Sequence, residues 1–337
     1  MAYDGVLLIA FGGPTPGGCA RIRENGEPCP GPEHGNPCPE GSPDEAHCFV
    51  QGILGKTPAR AARTNEVAGH YRHLGGFSPF NELTFRQART LEVALRKRGL
   101  PLPVRAGMRH WGPSIRDVLK SLAAAGHRKL LATIMAPHQS RVSWEWYLST
   151  VAEACGEIPE AQRPVVDVIE PWGTHPGFTG AIAALVRADL DRLPPDRRGN
   201  AHVVFTAHAI PVAIAKSGPY CRQFEETASH VAASLGLSRH TIAYQSSAPE
   251  SSGSWTGPDI SDALRDLKAE GVRDVIVSPI GFLVDHVEVL YDLDVEARRT
   301  AAALGLGFVR SGTVGSHAAF IGMLADLLAE RAKRQDG

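Results

Sequence analysis

The chain has no long hydrophobic run, almost no net charge and few aromatic residues. Its apolar stretches, such as Val6 to Phe11 and Leu130 to Met135, fall far short of the roughly 20 residues needed to cross a bilayer, so no integral membrane segment is expected. Lys and Arg number 35 against 36 Asp and Glu, a formal charge of -1. Without a basic field there is no general hold on nucleic acid or an anionic membrane, and any ligand must be recognised locally. An apolar lip would allow only weak peripheral membrane contact. The opening Met-Ala-Tyr-Asp leads straight into a strand-like run, with neither the basic nor the apolar region of a signal peptide, and this predicts a cytoplasmic protein. What remains is an ordinary chain of 337 residues, 43% apolar, enough for about two domains at roughly 150 residues each.

Cysteine is also scarce, but unevenly so. Four of the six, Cys19, Cys29, Cys38 and Cys48, fall within 30 residues, while Cys155 and Cys221 are scattered. A reducing compartment disfavours disulfides, so the cluster asks for a metal or for no explanation. It lies in and just after a segment, Gly12 to Pro43, in which 16 of 32 residues are Gly or Pro. Such a segment reads as a loop unless something staples it.

Elsewhere short aliphatic and β-branched runs alternate with longer stretches of helical period, the pattern of a parallel sheet covered on both faces. Strands are predicted at 5–11, 102–107, 129–135, 165–169, 202–207, 240–245, 273–278 and 307–311. Helices are predicted near 83–98, 114–125, 144–155, 177–192, 221–236, 259–269, 285–304 and 315–334. Eight strands are many for one open sheet of this length, so the fold class is α/β with two doubly wound, Rossmann- or flavodoxin-like parallel-sheet domains. The boundaries read as 1–163 for an N-terminal domain with a Cys-rich insertion at about 15–43, then 164–314 for a C-terminal domain. A final helix, 315–337, is expected to pack back on the first. No internal sequence repeat is visible beyond Pro28-Cys29-Pro30 and Pro37-Cys38-Pro39. In doubly wound sheets ligands lie beyond the carboxyl ends of the strands.

Two such ends carry reactive groups. Strand 202–207 runs into Thr206-Ala207-His208-Ala209-Ile210-Pro211, which puts an imidazole at the mouth of the fold. Strand 273–278 leads to Asp285-His286-Val287-Glu288 and then Tyr291-Asp292-Leu293-Asp294. A helix beginning near Asp285 would place Asp285, Glu288 and Asp292 on one face. Three acids on one face usually meet solvent; the strongly apolar flanks make a line of carboxylates entering a cleft an equal reading.

These elements, with others, resemble the ferrochelatase family over most of the chain. Leu8-Ile9-Ala10-Phe11-Gly12-Gly13-Pro14 is similar to the family's first strand and loop. Tyr71-Arg72-His73-Leu74-Gly75-Gly76-Phe77-Ser78-Pro79-Phe80-Asn81 resembles its Gly-Gly-x-Ser-Pro segment, and Gly107-Met108-Arg109-His110-Trp111-Gly112-Pro113 the stretch after its second strand. Thr206 to Pro211 is similar to Ser-Ala-His-Ser-Leu-Pro, and Tyr244-Gln245-Ser246 with Trp255-Thr256-Gly257-Pro258 to Tyr-Gln-Ser with a downstream Trp-Leu-Gly-Pro. Asp285 to Asp294 resembles Asp-His-Ile-Glu-Thr-Leu-Tyr-Glu-Leu-Asp. Six motifs in family order are far more specific than any one of them.

The resemblance implies insertion of ferrous iron, as substrate, into a porphyrin in a cleft between two domains, giving haem. Either coproporphyrin III or protoporphyrin IX fits, and the segment from Tyr71 to Asn81 leans to the coproporphyrin type of actinobacteria. Two pyrrole protons must leave as one divalent metal enters. His208 titrates near the working pH and can ligate Fe(II), and Glu288 can accept a proton opposite it. The candidate catalytic pair is therefore His208 and Glu288, with Asp285 and Asp292 added as candidate metal-handling groups. Phe11, Met108, Ile210 and Trp255 match positions that can wall the macrocycle. Tyr71, Ser78 and Arg109 match positions that meet its carboxylate arms or line the cleft, and Arg is the natural partner of a carboxylate. Phe11 stands where some coproporphyrin-using relatives carry a Tyr able to touch the metal, which a phenyl ring cannot do.

The likeness fails at the insertion. Relatives pass from Gly-Gly-Pro directly into a helix, whereas here about 25 residues intervene. The spacing of Cys19, Cys29, Cys38 and Cys48 is far wider than the C-x2-C knuckles of ordinary zinc sites. Four thiolates suffice for a [2Fe–2S] cluster, with no fixed metal the second reading and structural zinc the third. Two other functions compete: a tetrapyrrole or metal carrier of the same fold that does not turn over, and a chelatase for cobalt or nickel.

Overall fold

The computed structural model describes residues 2–15, 45–55, 57–248 and 254–334. Cys19, Cys29 and Cys38 therefore lie outside the described residues. In chain order the elements are β1 (Gly5–Ala10), α1 (Glu45–Leu54), α2 (Pro58–His73), α3 (Phe80–Lys97), β2 (Val104–Met108), α4 (Ile115–Ala124), β3 (Lys129–Ile134), α5 (Trp146–Gly156) and β4 (Val165–Val168). They continue with α6 (Pro176–Arg192), α7 (Pro195–Arg198), β5 (His202–His208), α8 (Val212–Lys216), α9 (Tyr220–Leu235), β6 (Thr241–Gln245) and α10 (Ile260–Ala269). The last are β7 (Asp274–Ser278), α11 (Val287–Leu290), α12 (Arg298–Ala303), β8 (Gly307–Arg310) and α13 (Ala318–Lys333). All eight predicted strands are present, and the chain is an α/β protein with two parallel sheets, ordered β2-β1-β3-β4 and β6-β5-β7-β8.

The chain divides into two compact units. One holds the residues up to Met135, Tyr147–Ile169 and those from Leu327 onward; the other holds Ala136–Trp146 and Glu170–Asp326. In the first unit every residue of β1 is buried, as expected of a central parallel strand covered on both faces. Its edge strand β4 is tied to α13 by Arg331, whose Nη2 lies 2.8 Å from Asp167 Oδ1. In the second unit β5 is buried from His202 to Ala207 and opens only at His208. Val204, Ala243, Leu264, Val277, Val289 and Leu293 belong to one core cluster on this sheet, so the helix carrying Glu288 is packed on the sheet that carries His208. Both α4 and α10 start at a side-chain cap, Ser114 accepting from the Asp117 amide and Asp259 from that of Ser261, which satisfies amides left open at a helix start.

Two segments differ from expectation. The helix α2 was not predicted, because its buried residues are just Thr64, Ala68 and Tyr71, a stripe too narrow to give an amphipathic period. The stretch 285–304 is not one helix. It begins at Val287, with His286 as its cap, and passes through a π-helical turn, Asp292–Ala297, before α12. Asp285 therefore precedes the helix, and the shared face expected for Asp285, Glu288 and Asp292 does not form as a simple helical register.

Candidate active site

The second unit gathers titratable groups at the carboxyl end of β5 and in the segment that follows β7. His208 ends β5, and its Nε2 lies 3.5 Å from Glu288 Oε2 on α11. Their side chains are 36% and 29% exposed, enough for both to meet a substrate. His208 Nδ1 is bonded to the Ala209 carbonyl; since a carbonyl only accepts, Nδ1 carries a proton and Nε2 is the atom turned to Glu288. Tyr220 donates from its hydroxyl to the His208 carbonyl at 2.8 Å. Burial disfavours the imidazolium, but the charge and hydrogen bond of Glu288, the Ala209 carbonyl and the more distant Asp292 outweigh it and hold His208 up at about 9.

The backbone around the pair is held by polar groups that the sequence reading quoted but did not assign. Thr206 Oγ1 donates to Gln245 Oε1 at 2.8 Å, and the Gln245 amide donates to the Glu288 carbonyl, so β5, β6 and α11 are joined through one side chain. Ser246 is the only non-glycine residue with positive φ among the described residues, at 63°. This costly conformation brings its hydroxyl to Asp292, to which it donates. Asp292 is 7% exposed. Its burial foremost, helped by Glu288 and Glu296, pushes its carboxyl up to about 8 against the opposing Ser246 bond and His208. Gly281 allows the chain after β7 to pass close by: a Cβ there would lie 2.7 Å from Ala207 Cα, next to His208.

Other predicted residues fall into place unevenly. Ile210 and Trp255 follow the pair on an antiparallel bridge, Pro211 opposite Trp255, closed by the Thr256 amide on the Ile210 carbonyl at 2.9 Å. Ile210 is buried and Trp255 half-buried. Asp285 is apart from the pair and bonded instead to Arg310, with 3.1 Å between Nη1 and Oδ1. Among the described residues no three His, Cys, Asp or Glu side chains form a group able to hold a metal. His208 and Glu288 are thus a pair rather than a cage, and Cys48, on α1, is the one member of the cysteine cluster within the described residues.

The first unit presents rings where the second presents ions. Phe11 follows β1 and contacts His110 at 4.6 Å between centroids. Phe49 meets Phe11, Tyr71 and Trp111 edge-on at 6.4, 5.8 and 5.7 Å. Phe49 and His110 carried no expected role; His110 lies within the Gly107–Pro113 stretch and Phe49 directly follows Cys48. Met108 is fully buried, which makes it a core residue instead of a free wall, its Cβ being close enough to require glycine at position 12. Tyr71 and Ser78 are also buried. Ser78 shapes its own loop, its amide on the Pro14 carbonyl at 2.9 Å and its Oγ accepting from Phe80 at 3.2 Å. Arg109 is half-buried, and that burial lowers its guanidinium below the usual range.

Two solved chelatase-like structures share the fold. SirB of Bacillus subtilis, solved with Fe3+, aligns with a TM-score of 0.54 at 14% identity, over 74% of this chain and 90% of that one. A multi-domain Deinococcus radiodurans protein described as similar to chelatases aligns with a TM-score of 0.51 at 16% identity, over 98% of this chain and 55% of that one. The ferrochelatase family model matches residues 43–332. The coproporphyrin III ferrochelatase of Streptomyces griseus is 35% identical, over 99% of this chain and 87% of its own. The ferrochelatase of Thermus thermophilus is 37% identical, over 85% and 94%. The chain belongs to the ferrochelatase family, and so to the enzymes that insert a metal into porphyrin in haem synthesis. Among the described residues no helix is long and apolar enough to cross a membrane.

Proposed function

We propose that the protein inserts Fe(II) into coproporphyrin III, with His208 and Glu288 as the groups that take the two pyrrole protons. The observation that carries this reading is the 3.5 Å approach of His208 Nε2 to Glu288 Oε2 at a half-open strand end. In the resting pair the imidazolium proton faces the carboxylate. A divalent cation brought beside the pair lowers the proton affinity of the imidazole. That proton then leaves to solvent, Nε2 becomes an acceptor and the carboxylate is the second. The balance is one Fe(II) and one porphyrin with both pyrrole N–H groups in, one metalloporphyrin with an uncharged core and two protons out. The ring nitrogens complete the metal's ligands, so two protein groups suffice to pass the ion on and a closed cage would retain it.

Coproporphyrin III is favoured because relatives so named match nearly the whole chain, that of Nocardia farcinica among them at 33% identity over 98% of it. Anaerobic turnover with Fe(II) and each porphyrin tests the assignment. The expected result is a kcat/KM for coproporphyrin III at least about tenfold above that for protoporphyrin IX. The reverse preference would overturn the substrate, and insertion of Co(II) or Ni(II) in place of Fe(II) would overturn the metal. From sequence alone, Cys19, Cys29, Cys38 and Cys48 are proposed as ligands of a [2Fe–2S] cluster. Anaerobically purified protein should then hold about two iron and two sulfide per chain; a colourless, zinc-loaded protein would reject the cluster.

A further inference from the structure

The segment that carries Glu288 has little to hold it in place by itself. The four residues of α11 are too few to offset the cost of starting a helix, and a π-helical turn follows at once, a form found mostly as a local bulge. An aspartate stands at each end: Asp285 just before the cap residue His286, and Asp294 within the π turn. Arg310, the last residue of β8, reaches both. Its Nη1 lies 3.1 Å from Asp285 Oδ1 and its Nη2 3.3 Å from Oδ2. Its Nη2 lies 2.8 Å from Asp294 Oδ2, and its Nε 3.2 Å from both oxygens of that carboxylate. Thr313 donates to Asp285 Oδ1 at 3.1 Å.

The Arg310 side chain is only 13% exposed, and its backbone is fixed in the sheet opposite Val277 of β7. A planar guanidinium with a fork for each carboxylate sets distance and orientation together, as a lysine cannot. We propose that Arg310 is a positioning residue: it fixes both ends of the 285–294 segment to β8 and so holds Glu288 opposite His208. Asp285 is then an anchor of this clamp and not a metal ligand. The inference rests on the reading of His208 and Glu288 as the reacting pair.

Four variants test it: Arg310→Gln, Asp285→Asn, the two combined, and the conservative Arg310→Lys. Each single change is expected to lower kcat for metal insertion by about tenfold to 10²-fold, the loss that follows from displacing a reacting group by about 1 Å. KM for Fe(II) should stay within about twofold, and the double variant should be no worse than the worse single, because both remove one interaction. Arg310→Lys should recover part of kcat. Amide exchange over 286–294 should quicken by about tenfold or more in Arg310→Gln while β5 is unchanged. The proposal is overturned if folded Arg310→Gln keeps kcat within about twofold, or if Asp285→Asn raises KM for Fe(II) with kcat unchanged. Should Arg310→Gln fail to fold, exchange in Asp285→Asn decides: faster exchange over 286–290 supports the clamp, and unchanged exchange rejects it. A wild-type protein that inserts no metal would overturn the functional reading instead, leaving the exchange result to judge the clamp.

Discussion

In the first sheet Ala10 of β1 pairs with Met108 of β2; in the second, Ala207 of β5 pairs with Tyr244 of β6. The Met108 amide donates to the Pro113 carbonyl and the Tyr244 amide to that of Pro258, each at 2.8 Å, and a capped helix follows each proline. By this register Phe11 in one unit occupies the place of His208 in the other. Each unit also has a histidine at its strand ends, and their fates diverge. His110 is driven down to about 3 by burial and then by the adjacent Arg109 charge. His208 suffers the same burial, but Glu288 reverses the sign and holds it at about 9. One scaffold thus supplies a neutral aromatic cluster or a histidine–carboxylate ion pair, and the neighbouring charge decides which.

The largest expected effect comes from erasing that difference. Glu288→Gln should lower metal insertion by about 10²- to 10⁴-fold, the usual worth of a positioned acid or base. Burial would then act on His208 largely unopposed, and NMR titration should find it at or below its ordinary value near 6.5. A His208 that still titrates near 9 in this variant would break the comparison.

A smaller effect is expected in stability, through Asp292. Its carboxyl is raised in the folded protein to about 8, so between the ordinary carboxylate range and that value the folded chain binds more protons than the unfolded one. Stability from this group therefore falls as pH rises through that window and levels off above it. Asp292→Asn stays neutral throughout and can still accept from Ser246. It should match wild type near pH 4 and melt at least ~3 °C higher at pH 9, as measured by calorimetry. The same sign holds for His208, whose ion pair stabilises fully below its ordinary value and is lost as pH passes about 9.

The smallest effect should come from the aromatic unit. Phe11→Leu keeps an apolar side chain and loses ring contacts worth about 0.5–1.5 kcal/mol, so KM for the porphyrin should rise by roughly 2- to 10-fold with kcat within about twofold. A collapse of kcat in this variant would mean that the first unit shares in the proton chemistry.

Much of the fold was legible because buried parallel strands write themselves as short apolar runs, and all eight were placed within about two residues. His208 and Glu288 were legible because each follows such a run inside a recognisable motif. Other features depend on tertiary partners. The tie of Asp285 to Arg310 spans 25 residues, and nothing local distinguishes a clamped aspartate from a metal-facing one. The positive φ of Ser246 falls on a residue type that does not announce it. The correspondence between the two sheets left almost no trace in sequence beyond Trp111-Gly112-Pro113 and Trp255-Thr256-Gly257-Pro258, because parallel strands need only apolar character and not identity.

The proton chemistry is assigned to the His208–Glu288 pair. Its most direct measurement is anaerobic single-turnover insertion of Fe(II) into bound porphyrin by His208→Ala, with porphyrin binding followed by fluorescence in the same sample. Porphyrin affinity is expected to stay within about threefold of wild type while the insertion rate falls by about 10²-fold or more. An insertion rate close to that of wild type would contradict this assignment.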